Sequence, residues 1–299
     1  MAQAAASQAT GATGVTGSTL HDRTIEKSAR GMKTSDGAGV KLTRVIGTPL
    51  LRRIDPFLML DEFRSDEPQD YLAGFPDHPH RGFETVTYMI AGRFRHRDNK
   101  GHEGLLDAGG AQWMTAGRGI VHSEMPEQEA GLVHGFQLWL NLPRKDKMCE
   151  PSYRDLQSAD IPRAQLESGA SVRVLAGKVG GVAGPIEGRD TQPIYLDVEL
   201  SAGGAAELPL PSTHDGFIYP FEGDVIVGGP GRERTLERGE LGVLTKGDGV
   251  RLRAKSGAAR ALVIAGKPLG EPVVQYGPFV MTTPEEVEQA IRDFQSGRF

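Results

Sequence analysis

The sequence predicts an all-β protein of two similar domains closed by a C-terminal helix. Forty glycines and nineteen prolines punctuate the 299 residues, so extended chain is repeatedly cut by turns. Short β-branched and aromatic runs recur between those turns, while helical spacing is sustained only near the C-terminus. The second half also repeats the layout of the first, as a duplicated domain would.

Taken in order, the elements begin with MAQAAASQATGATGVTGSTL, a low-complexity stretch lacking the basic and apolar regions of a secretory signal. Residues 1–30 are expected to be a flexible tail. A first domain over 31–148 has strand-like runs at Leu58 to Leu60, Thr85 to Ile90 and Gly135 to Leu140. Residues 141–162 are polar and interrupted by Pro143, Pro151 and Pro162, which marks a domain boundary. A second domain over 149–299 resumes the β pattern at Ser171 to Leu175 and Ile194 to Leu200. Near its end Thr283-Pro284-Glu285-Glu286 reads as a capping box with proline at the first helical position. Val287, Ala290, Ile291 and Phe294 then recur at helical spacing, so an amphipathic helix is expected to pack on a barrel.

Composition narrows the function. A formal charge of −5 argues against a protein held on nucleic acid by phosphate contacts. Cys149 is the only cysteine, so no internal disulfide and no thiolate zinc cluster can form. No apolar run reaches membrane-spanning length, and a cytoplasmic monomer is expected.

The chemistry concentrates in two alternate-residue pairs, His78-Pro79-His80 and His122-Ser123-Glu124. Residues i and i+2 of a strand share a face, so two neighbouring strands would aim four ligands at one point. Imidazole and carboxylate together suit one divalent ion such as Fe(II), Mn, Ni or Cu and leave open positions for substrate or oxygen. Each pair leads from or into spaced glycines and a strand, which is the layout of the two cupin motifs. Glu124 is the candidate catalytic carboxylate, able to accept a substrate proton. Glu84 is expected beside the ligands or in a structural role, without binding the ion, and Gln137 as a pocket-lining residue or part of a hydrogen-bonded wall. His96 and His102 fall in a charged stretch and read as solvated. His134 lies on the strand face opposite Gln137, and His214 reads as a surface or core histidine.

Aligning Gly92 with Gly223 sets Pro209 and Pro211 opposite His78 and His80, and Gly119 with Gly249 sets Leu252 and Ala254 opposite His122 and Glu124. The second domain is therefore expected to hold no metal and to cover the mouth of the first.

Several stretches together resemble the pirin family: DPFLMLDEF at 55–63, HPHRGFETVTY at 78–88, QWMTAGRGIVHSE at 112–124, QLWLN at 137–141 and QYGPFVM at 275–281. The resemblance runs from about Arg44 to Phe299. It implies a bicupin, two cupin-type β-barrels with one metal in the first, held by His78, His80, His122 and Glu124. Fe(II) is the first expectation, with Mn, Ni, Cu or Zn as alternatives. It also implies two classes of function. One is a metal-dependent quercetin 2,3-dioxygenase acting on an aromatic small molecule; the other is a metal- or redox-sensing protein that binds a transcriptional or metabolic partner.

Overall fold

A computed structural model describes residues 21–299, and the sequence 1–20 lies outside the described residues. Each half contains a seven-stranded antiparallel sheet and a four-stranded one, as expected for two cupin barrels. Strand order matches between halves. The first large sheet runs Ser152–Leu156, Ala111–Thr115, Phe83–Ala91, Val133–Asn141, Phe57–Ser65, Val40–Ile46, Met32–Asp36. The second runs Ile25–Arg30, Glu240–Leu244, Asp215–Glu222, Ala259–Gly266, Ile194–Leu200, Ser171–Ala176, Arg163–Gln165.

The outermost strands depart from the expected boundaries. Ile25–Arg30, anticipated as part of a flexible tail, pairs with Glu240–Leu244 in the second half. Ser152–Leu156, anticipated as the start of the second domain, pairs with Ala111–Thr115 in the first. Each half thus lends its leading strand to the other. Local patterning hides this, because a strand's sequence shows which face is buried and not which distant strand it joins.

Alternation sorts the residues of each large sheet. In Phe83–Ala91, Val86 and Tyr88 point to one side while Thr85, Thr87 and Met89 point to the other. Both sides are buried, which explains why the run reads as continuously apolar. Val86, Tyr88, Phe136 and Leu138 meet Tyr195, Phe217, Phe221 and Ile264 in one core between the two large sheets. Burying a side chain of this kind stabilises by about 1.5–3 kcal/mol, so this contact joins the halves firmly. The second barrel therefore packs on the outer face of the first large sheet, and the expectation that it covers the first barrel's mouth is corrected. Two carboxylates sit in this seam. Glu62 accepts from Tyr219 Oη at 2.6 Å and contacts His134 Nε2 at 2.9 Å, and Asp197 accepts from Arg260 and Tyr88.

The second barrel's own interior is apolar: Val172, Leu196, Ile218, Val225, Leu252 and Ala254 belong to a single cluster. Leu252 and Ala254 are the residues aligned with His122 and Glu124, and hydrocarbon fills the space that ligands would need.

The helix Pro284–Gln295 starts as its sequence predicts, with Thr283 Oγ1 accepting from the Glu286 amide and the Glu286 carboxylate accepting from the Thr283 amide. Its apolar side, with Phe279 and Phe299, packs against Val121 of the first barrel. Arg81, the residue after His80, donates to Asp293 at 2.7 Å and lies 4.3 Å from the Phe299 ring centre. Gly82 follows with φ +88°, and a Cβ there would stand 2.1 Å from the Val280 carbonyl oxygen, so only glycine fits this turn. The tail of the chain is thus fastened to the strand that carries the histidine pair. No helix among the described residues is long and apolar enough to cross a membrane.

Candidate metal centre

Phe75–His80 pairs antiparallel with Ile120–Pro126, and the register sets His78 opposite His122 and His80 opposite Ile120. His78, His80 and His122 then converge, with one ligand nitrogen of each within 4.8 Å of the others. The rings pack 4.4–5.0 Å apart, centre to centre. His80 and His122 are 2% and 1% exposed, and neither ring nitrogen of either has a hydrogen-bond partner. Burial and the neighbouring imidazoles push both well below the usual histidine pKa, which keeps them in the neutral form that binds metals. Buried imidazoles without partners are costly unless something satisfies them, and a divalent ion does so. His78 Nδ1 contacts the Pro76 carbonyl at 2.8 Å, which fixes its ring and leaves Nε2 for the ion. Three histidines fit a divalent metal, and the set does not distinguish one first-row ion from another.

Glu124 sits beside this cluster and outside its 4.8 Å radius. Its carboxylate accepts from Thr87 Oγ1 at 2.9 Å and from Gln137 Nε2 at 3.2 Å. His96 Nδ1 lies 3.4 Å from the same Oε1. The strand pairing shifts register between His122 and Glu124 on the side of Phe75–His80 and stays regular on the side of Phe94–Asp98.

His96 is the site residue that sequence reasoning misplaced. It is 1% exposed, both ring nitrogens lack a hydrogen-bond partner, and the strand register sets it opposite Glu124. The flanking arginines make the segment look like a solvated turn, but Phe94 and His96 alternate inward while Arg95 and Arg97 alternate outward. That period of two was the available signal.

Glu84 does not enter the pocket and is corrected on that point. It lies on the opposite face of its strand from Thr87, where it accepts from Thr115 Oγ1 at 2.7 Å and contacts Arg189 at 3.0 Å. His102 is half-exposed and stacks on Tyr153, while buried His214 contacts the Gln192 carbonyl at 2.9 Å.

The cluster opens into a cavity of about 600 Å³, within the range that holds a drug-sized molecule. Apolar walls come from Met59, Phe75, Phe94 and Trp139, and Thr87, Gln137 and Glu124 line it beside the histidines. Its rim is the turn 36–38 and the segment 275–278, and no residue of the second barrel's sheets lines it.

Comparison with known proteins agrees with this architecture. The Pirin family profile matches residues 39–140, and the profile of the Pirin C-terminal cupin domain matches 195–299. A Pseudomonas aeruginosa protein, provisionally named quercetin 2,3-dioxygenase, is 53% identical over 273 residues, covering 89% of this chain and 94% of that protein. The crystal structure of a quercetin 2,3-dioxygenase from Acinetobacter baumannii is similar at TM-score 0.85 and 33% identity, covering 93% of this chain and 98% of that one. An Escherichia coli pirin solved in complex with nickel(II) shares the fold at TM-score 0.62, covering 80% of this chain and 96% of that one, with 17% identity. Two family profiles in tandem on the two barrels, together with relatives matched over almost their full length, show that this chain belongs to the pirin family.

Proposed function

We propose that this chain is a metal-dependent dioxygenase that opens flavonols with molecular oxygen, using Fe(II) as its ion. The observation that carries the reading is the convergence of three histidine side chains, two of them buried and unpartnered, on an apolar-walled cavity with a carboxylate at its edge. The names of its relatives in Pseudomonas and Acinetobacter point the same way.

His78, His80 and His122 would hold the ion, with Glu124 as the fourth ligand after a short movement of its side chain. When bound, the ion supplies Lewis acidity and adjacent open positions at which an enolate and oxygen meet. Glu124 takes the proton of the flavonol hydroxyl at one carboxylate oxygen, since it borders the cavity in which that hydroxyl would lie. Thr87 and Gln137 hold that carboxylate in place, and Gln137 is half-exposed to the cavity. Trp139 packs edge-on against His80 at 5.3 Å and shields it from water.

The test is turnover of quercetin by protein reconstituted with Fe(II), read as oxygen uptake and carbon monoxide release. Glu124→Gln should lower kcat by about 100-fold or more, the scale of a lost general base. Absence of uptake with every flavonol tried, at one metal per chain, would sink the reading.

A further inference from the structure

Thr87, Gln137, Asp61 and Arg44 lie on four adjacent strands, and each is the register partner of the next. Register partners share a face, so this is one polar row across the floor of the cavity. It begins at the carboxylate of Glu124, which Thr87 and Gln137 hold. It ends two strand spacings beyond Gln137, about 10 Å away, at a guanidinium. All four residues line the cavity.

The far end is built for polar recognition. Asp61 is 2% exposed, and its two oxygens accept from Arg44 Nε at 3.0 Å and Nη2 at 2.8 Å. Arg44 Nη2 also donates to Asp36 at 2.8 Å. Nη1 has no partner among the described residues, and each Asp61 oxygen keeps a lone pair beyond the one Arg44 uses. The pair therefore offers both donors and acceptors to a ligand, surrounded by Met59 and Phe63. Burial pushes the Asp61 carboxyl up to about 6 even with Arg44 on both oxygens.

Resting on the dioxygenase reading, we propose that Arg44 and Asp61 determine substrate specificity by hydrogen-bonding hydroxyl groups on the ring of the flavonol farthest from the histidines. The substrate class is then a rigid, elongated polyphenol carrying hydroxyls at both ends: one end meets the metal centre and Glu124, the other meets the Arg44–Asp61 pair. A flavonol bare at the far ring would strip water from this pair without replacing its hydrogen bonds, a mismatch that discriminates strongly.

The experiment compares quercetin with galangin, which has the same fused rings and no hydroxyl on the pendant ring, in the Fe(II)-loaded full chain. Both kcat/KM and equilibrium binding followed by tryptophan fluorescence are measured. Wild type should favour quercetin by about tenfold or more in both, as one charged hydrogen bond at about 1.5–3 kcal/mol would give. Arg44→Met should collapse that ratio toward one, chiefly through KM, and Arg44→Lys should restore part of it. Equal binding of the two flavonols to wild type, no binding of either, or a ratio unmoved in Arg44→Met would overturn the proposal. If Arg44→Met does not fold, Asp61→Asn carries the same expectation for the ratio. Discrimination in binding without turnover would leave this inference standing and remove the dioxygenase reading. Turnover without discrimination would do the reverse.

Discussion

The two barrels have matching strand orders and opposite interiors. In the first, the inward faces carry His78, His80, His96, His122, Glu124 and the polar row from Thr87 to Arg44. In the second, the aligned positions carry Leu252 and Ala254 within a continuous hydrocarbon core. Because one topology accommodates both, the architecture is independent of the ligands: apolar contact between the large sheets holds the molecule together, and the metal centre is an addition to one cavity.

The comparison can be broken most directly at its paired positions. His122→Ala should take metal content from one per chain to near zero by elemental analysis while the thermal transition of the metal-free protein changes little, because only one imidazole is lost. Leu252→Ala, at the corresponding place in the second barrel, should do the opposite. It should keep one metal per chain and cost about 2–5 kcal/mol in denaturant unfolding, the range for deleting a buried leucine side chain. A His122→Ala protein that unfolds at room temperature would show that the first barrel depends on its ion after all. A smaller effect sharpens the contrast within the first barrel. Thr87→Val removes the hydroxyl that contacts both Glu124 and Gln137, and should weaken metal affinity by about 10–100-fold in competition with a chelator.

The smallest effect is a slope. Lys147 is buried with its ammonium donating to the Gly82 carbonyl, Asn141 Oδ1 and the Val280 carbonyl, three neutral acceptors. Burial lowers its pKa from 10.5 to about 8. Between those two values the unfolded chain holds a proton that the folded chain has released, so stability should rise with pH across that window, by at most about 1.4 kcal/mol per pH unit. Lys147→Met should flatten the profile measured by urea unfolding from pH 8 to 10.5. An unchanged profile would mean that some other group titrates there.

Much of this was legible in the chain. The capping box at Thr283, the duplicated β pattern and the convergence of His78, His80 and His122 follow from spacing, because periods of two and 3.6 are local properties of sequence. What was not legible depended on neighbours far along the chain. Glu124 was placed by alternation, but its contacts with Thr87, Gln137 and His96 come from strands that no local pattern pairs with it. Glu84 has the composition of a site residue and the wrong face. Arg44 and Asp61 are seventeen positions apart and become a pair only through strand register, which no local pattern records. His96 is the one omission that a stricter reading of alternation would have caught.

The exchange of leading strands also sets a schedule for synthesis. Arg30 at the end of the first described strand bonds to Glu237, 207 positions later. At about 5–20 residues per second, a ribosome would need on the order of 10–40 seconds after making that strand before its partner emerges. Through that interval the strand destined for the second barrel hangs unpaired beside the nascent first barrel. A bare sheet edge is a template for joining another chain, so crowded polysomes would be the place where this protein is most exposed to pairing with its own copies.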